Sequence, residues 1–127
     1  MTKEGFLTQF FGNLNKENLD YFVYGEYSCL PKDTGGSDID ILVSLGDAPR
    51  ILSILWEMID ANDIRLASYY HTSNSNWFVR LITEGWGVQI DFFWGAHVWK
   101  TACYYNPEFL KPYVVHHNGI KVLDIHV

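Results

Sequence analysis

Basic residues are scarce in this chain. Nine Lys and Arg stand against fifteen Asp and Glu, a net charge of -6, and no Lys/Arg cluster offsets the deficit locally. Such a surface repels a nucleic-acid polymer or an anionic membrane face, so neither is an expected partner. Cysteine is nearly missing too: Cys29 and Cys103 are isolated, with no CxxC spacing. Two lone thiols are expected to be reduced and buried rather than to form a disulfide or a zinc site. Long apolar runs are absent, none approaching the ~20 residues that span a bilayer. Met1-Thr2-Lys3-Glu4-Gly5 lacks the basic-then-apolar pattern of a secretory signal, so a cytoplasmic location is the default expectation.

Aromatic residues, by contrast, are plentiful at 17% of the chain, within an apolar fraction of 48%. That is enough to build a core and to line a pocket. At 127 residues the chain is expected to form a single domain over 1–127.

The first segment has helical periodicity. Phe6, Leu7, Phe10, Phe11 and Leu14 share one face, with Thr2 as the candidate cap and the polar stretch from Asn15 to Asp20 as the stop. Tyr21-Phe22-Val23-Tyr24 is a short strand ended by Gly25, and Glu26 to Gly36 form a loop. Ile39, Ile41 and Val43 alternate with Asp38, Asp40 and Leu42, the period of a strand. A second helix runs from a cap at Asp47, with Pro49 in its first turn, through Ile51, Leu52, Leu55, Met58 and Ile59 to a stop at Asn62.

Three further strands follow, Ile64–Tyr70, Trp77–Thr83 and Trp86–Phe93, separated by turns at Ser73-Asn74-Ser75-Asn76 and Glu84-Gly85. Residues 96–111 could hold a short helix, although Pro107 and Pro112 count against it. The tail carries a hairpin, Val114-Val115 and Ile120-Lys121-Val122 around His117-Asn118-Gly119, whose Asn-Gly suits a type I′ turn. The order α-β-β-α-β-β-β implies an α+β domain: a mixed β-sheet with helices packed on one face.

Chemistry concentrates in Gly35-Gly36-Ser37-Asp38-Ile39-Asp40. On a strand, positions i and i+2 face the same way, so Asp38 and Asp40 would set two carboxylates side by side. Two such carboxylates suit Mg²⁺, which takes one or two of them together with phosphate oxygens and water. The paired glycines would let the backbone approach a phosphate closely. Alone, an Asp-x-Asp is also what a solvated loop-to-strand junction looks like.

The later strand changes that balance. In Gly87-Val88-Gln89-Ile90-Asp91-Phe92-Phe93, Val88, Ile90 and Phe92 point one way, leaving Asp91 with Gln89 on the other face. An Asp within so apolar a strand is costly without a partner. Three strand-borne carboxylates converging on one point would make a two-metal site.

These residues resemble the nucleotidyltransferase-fold superfamily, which includes DNA polymerase β, the kanamycin-type nucleotidyltransferases and the minimal nucleotidyltransferases. The family pattern is an apolar strand, Gly-Ser, a short spacer, Asp-x-Asp and a later strand-borne Asp. Tyr24-Gly25-Glu26, Ser37-Asp38-Ile39-Asp40 and Gln89-Ile90-Asp91 fall onto it, across roughly residues 4 to 94. The stretch Leu30-Pro31 to Asp40 also resembles a subgroup found among bacterial surface-polysaccharide genes.

The resemblance implies Mg²⁺-dependent transfer of a nucleoside monophosphate from a nucleoside triphosphate to a small-molecule hydroxyl (a sugar or polysaccharide precursor) or a protein hydroxyl. It implies Asp38, Asp40 and Asp91 as catalytic and metal-holding residues of a two-metal site, with Gly25, Gly36 and Ser37 contacting the nucleotide. It also implies an alternative, a non-catalytic or regulatory partner such as the antitoxin-like member of a toxin–antitoxin pair. Larger relatives hold acceptors with extra domains, so a homo-oligomer or a partner protein is expected to complete the acceptor site.

One position departs from the pattern. Where the family has Gly-Ser this chain has Gly25-Glu26, and a carboxylate there would repel a triphosphate unless it turns away or binds metal. The basic residues that often follow that Gly-Ser are missing, with Lys32 the one cation of the loop.

Other residues weigh less. His116-His117 reads as an exposed hairpin, and His71 and His97 border loops. Trp86, Trp94 and Trp99 could wall a cleft, although alternation places Trp86 in the core. Arg80 and Lys100 could neutralise phosphate or simply face solvent.

Overall fold

The computed structural model describes residues 1–73, 76–94, 97–99, 102–105 and 110–124. Helix α1 spans Lys3–Lys16, strand β1 Tyr21–Tyr24, β2 Ile39–Val43, helix α2 Ala48–Ala61, β3 Arg65–Ser73, β4 Asn76–Ile82 and β5 Gly87–Trp94. Short strands β6 (His97–Trp99) and β7 (Ala102–Tyr105) precede a 3₁₀ turn at Lys111–Tyr113 and the strands β8 (Val114–His117) and β9 (Ile120–Leu123). Among the described residues no helix is long and apolar enough to cross a membrane.

Helix α1 forms where the periodicity places it, and Thr2 caps it by accepting the Gly5 N–H at 3.0 Å. Helix α2 also begins and ends as expected, with Asn62 at its C-terminal cap. Its N-terminal Asp47 does not cap it, however. The Asp47 carboxylate accepts instead from the Asp20 N–H at 2.8 Å, tying the chain before β1 to the start of α2.

Seven strands form one mixed sheet in the order β3-β4-β5-β2-β1-β9-β8. The pairs β1–β2, β3–β4, β4–β5 and β8–β9 are antiparallel, whereas β2–β5 and β1–β9 are parallel. The fold is therefore α+β with a mixed sheet, as the order of elements implies.

Strand β5 alternates strictly: Val88, Ile90, Phe92 and Trp94 are buried, while Gln89, Asp91 and Phe93 are half-buried. The buried set joins Ile39, Ile41 and Val43 of β2, Val79 and Leu81 of β4, and the apolar stripes of both helices in one core. Phe10 of α1 meets Phe92 edge-on, with ring centroids 6.4 Å apart. Both helices thus cover one face of the sheet. The opposite face carries a smaller apolar cluster of Phe22, Leu42 and Leu110, with Tyr24, Phe93, Val114 and Leu123 packed against it.

The tail differs from expectation in two ways. Residues 97–105 contain the antiparallel pair β6–β7 in place of a helix; residues 106–109 lie outside the described set. The hairpin of β8 and β9 forms around Asn118 and Gly119, both at positive φ as a type I′ turn requires. Its second strand extends the main sheet beside β1, with Val23 opposite Val122. No periodicity encodes that partnership, because it joins segments about a hundred residues apart.

Candidate functional site

Strand register builds the site. In the parallel pair β2–β5, Asp40 stands opposite Asp91, and on the next strand Phe78 stands opposite Asp91. On the other side Tyr24 of β1 stands opposite Asp40. Opposed residues share a face, so a row of Tyr70, Phe78, Asp91, Asp40 and Tyr24 crosses the sheet on the side away from the helices. Tyr70 packs on Phe78 and Tyr24 on Phe93, at centroid separations of 5.6 and 5.7 Å, so rings flank the carboxylates on both sides.

Asp40 and Asp91 are half-buried and hydrogen-bonded to each other. Burial first, then the charge of Asp91 and its hydrogen bond, pushes the Asp40 carboxyl up to about 7. Burial raises Asp91 as well, while the Gln89 amide and the bond with Asp40 draw it back. The arrangement is a pair of acids sharing a proton near neutrality.

Asp38 lies just before β2, exposed, and its charge raises both members of the pair. Of the three carboxylates expected to converge, two therefore meet and the third stands at the rim. Among the described residues no three His, Cys, Asp or Glu side chains gather closely enough to ligate one ion. The donor chemistry nonetheless fits a hard divalent cation: it would replace the shared proton and relieve the repulsion that burial imposes, with Asp40 and Asp91 as its anchors and Asp38 in reserve.

Two loops lead into the site. Gly25 has φ +86°, and a Cβ added there would lie 3.6 Å from Asp40 Oδ2. The chain leaving β1 thus passes against Asp40, in a conformation that glycine adopts without strain. The second loop reaches Asp38 through Gly35 and Gly36, both at positive φ. It is pinned from below: Lys3 Nζ lies 3.0 Å from Asp33 Oδ1 and donates to Thr34 Oγ1 at 3.4 Å. Thr34 is buried, with its N–H on Asp33 Oδ1 at 2.7 Å. Nothing in the sequence pattern pairs Lys3 with this loop.

Glu26 turns onto its own loop. Its carboxylate accepts from both the hydroxyl and the N–H of Ser28, and these bonds hold its pKa below the usual range. Tyr27 next to it packs against His117 of the tail hairpin and donates to Asp124 at 3.4 Å. Asn118 donates to the Leu30 carbonyl at 3.2 Å. The hairpin therefore braces the loop that follows β1.

The lesser candidates separate. Arg80 donates to Gln89 Oε1 at 2.7 Å, and Gln89 donates to Asp91 Oδ1 at 3.2 Å. Trp94 is buried against Trp77, 5.0 Å between centroids, and so belongs to the core rather than to a cleft wall. Exposed His71 packs against both rings. Trp86 is half-buried on Phe6, with its indole N–H on the Met1 carbonyl. Cys29 is exposed, contrary to the expectation of burial, because it sits in the turn between β1 and β2. The side chains of His97, Trp99, Lys100 and Cys103 lie outside the described set.

No protein-family model matches this chain, and no curated protein does. Among solved structures it is similar to Cid1, described for its RNA terminal uridylyl transferase activity. The identity is 17% and the TM-score 0.44, over 72% of this chain and 30% of Cid1. This chain thus spans under a third of the length of that structure.

Proposed function

We propose that this chain is a Mg²⁺-dependent nucleotidyltransferase moving a nucleoside monophosphate from a nucleoside triphosphate to a hydroxyl of a small molecule, such as a sugar or polysaccharide precursor, or of a protein. The observation that carries the reading is the opposition of Asp40 and Asp91 on adjacent parallel strands, sharing a proton beside the Gly25 loop. Bound Mg²⁺ would neutralise the donor phosphates and lower the pKa of the acceptor hydroxyl.

The chain's own residues then do the following. Asp40, with Asp38 at the rim, holds the donor end. Gly25, Gly36 and Ser37 bring backbone against the phosphates. Asp91 accepts the proton of the acceptor hydroxyl as its oxygen bonds to the α-phosphorus. The bond from that phosphorus to the bridging oxygen breaks, and pyrophosphate leaves. With a site this open, a second subunit or a partner protein completes the acceptor side.

One observation favours a non-catalytic partner instead. The position of the family's phosphate-facing hydroxyl is taken by Glu26, closed onto Ser28. Incubation of the full chain with Mg²⁺, the four triphosphates labelled at the α-phosphate, and hydroxyl acceptors decides between the two. Metal-dependent labelling of an acceptor, lost in Asp91→Asn, supports the enzyme; no labelling by the wild-type chain with any triphosphate favours the partner reading.

A further inference from the structure

The two outer strands of the seven-stranded sheet differ. At one end β8 is four residues long. At the other, β3 runs for nine residues, bonded to β4 on one side and to no strand among the described residues on the other. Its outward N–H and C=O groups thus form a row open to pairing with another chain. Folds commonly blunt such an edge with lysine or proline. β3 has neither, and its one charge is Arg65 at the first position. Leu66, Tyr69 and Tyr70 along it are exposed.

Charge decides what this edge accepts. The chain carries -6, so two copies repel unless they meet where charge is absent. Between Leu66 and Val79 the sequence holds no Asp, Glu, Lys or Arg, the longest such stretch it contains. The charges near β3 gather at its start: Asp63 and Arg65 in sequence, and Arg80 opposite Ser68 by register. A parallel copy would set these charged starts side by side, Arg65 against Arg65. An antiparallel copy sets each charged start beside the uncharged end of the other. Register shifts at Leu66/Ser68 and His71/Ser73 leave Ser68 to His71 as the regular segment between them.

We propose that β3 pairs antiparallel with β3 of a second copy, about a two-fold axis perpendicular to the sheet through Tyr69 or Tyr70. Such a contact uses the same patch on both copies and closes on itself. The axis keeps like faces together, so both acid pairs lie on one side of a joined sheet. With strands about 4.8 Å apart, the steps from β5 through β4 and β3 to their counterparts separate the two pairs by about 24 Å. Each copy therefore keeps its own Asp40 and Asp91, and the second copy extends the row of Tyr70 and Phe78 that runs up to Asp91. The contact stands whether or not the chain transfers nucleotides.

Sedimentation velocity of the full chain, from micromolar to millimolar concentration, tests this without a ligand. A monomer–dimer equilibrium is expected. Tyr70→Lys puts a charge into the pairing segment and should raise the dissociation constant about tenfold or more. Tyr113→Lys, at a similarly exposed tyrosine outside β3, should leave it unchanged. Hydrogen–deuterium exchange of the wild type locates the contact even where Tyr70→Lys fails to fold. Exchange of the β3 amides is expected to slow as concentration rises, and that of β8 to stay constant. A chain that stays monomeric throughout, a dimer equally tight in folded Tyr70→Lys, or slowing at β8 in place of β3 overturns the proposal.

Discussion

Asp40 and Asp91 face each other across the parallel pair β2–β5 and share a hydrogen bond, and burial holds the Asp40 carboxyl at about 7. A pair in this state binds a proton that the unfolded chain has lost, and that difference makes folding depend on pH in a definite direction.

A carboxyl whose pKa is higher folded than unfolded stabilises the fold less as pH rises. Between its ordinary value of 3.8 and about 7, the native state holds more protons than the unfolded one. Thermal unfolding in EDTA should therefore show a lower Tm at pH 8 than at pH 5.5. Asp40→Asn should flatten that slope, and Mg²⁺ should restore stability at pH 8 in the wild type alone. Glu17, Glu26 and Asp33, whose pKa values are lowered, act in the opposite sense and only at more acid pH, below about 4.5. The measurement is calorimetry across that range.

Two glycines should respond with opposite sign. Gly25→Ala forces a side chain into a left-handed conformation next to Asp40, and should cost about 1–2 kcal/mol. Gly12→Ala, on the exposed face of α1 with open space around it, should stabilise by about 1 kcal/mol. Urea unfolding of the two variants checks both.

Glu26→Ser supplies the residue type that the resembled family carries and removes a carboxylate from the loop that follows β1. Triphosphate affinity should improve about fivefold as repulsion between exposed charges is relieved. Stability should change little, because Glu26 is exposed. Isothermal titration and a melting curve check this prediction together.

Core and face should differ sharply under truncation. Phe10 has no exposed surface and meets the rings of Phe6, Phe11 and Phe92. Phe10→Ala should cost about 3–5 kcal/mol. Tyr70, 56% exposed, should tolerate Ala within about 0.5 kcal/mol. Chemical denaturation checks the contrast.

Periodicity made α1, α2 and β1 to β5 legible, because a single buried face imposes a strong pattern on each. Asp40 and Asp91 stand out in the sequence for the same reason: each is the polar exception within an apolar strand. Their opposition does not, since register between β2 and β5 depends on a parallel crossover that no local signal encodes. The Lys3–Asp33–Thr34 pin and the closing of β9 on β1 were hidden likewise. Asp47 misled because an acid before Pro49 is the usual form of a cap, whereas here its carboxylate serves Asp20. Cys29 misled because a lone thiol is usually buried, while a turn exposes this one.

The scarcity of basic residues has also changed in meaning. Among the few cations, Arg80 is fixed by the neutral Gln89 amide, and its charge draws the Asp91 carboxyl down.

The most direct test is triphosphate binding by isothermal titration, with Mg²⁺ and with EDTA, in the wild type and in Asp38→Ala, Asp40→Ala. Binding that requires Mg²⁺ in the wild type and disappears in the double variant is the predicted result. Equal, metal-independent behaviour of the two proteins would contradict the account.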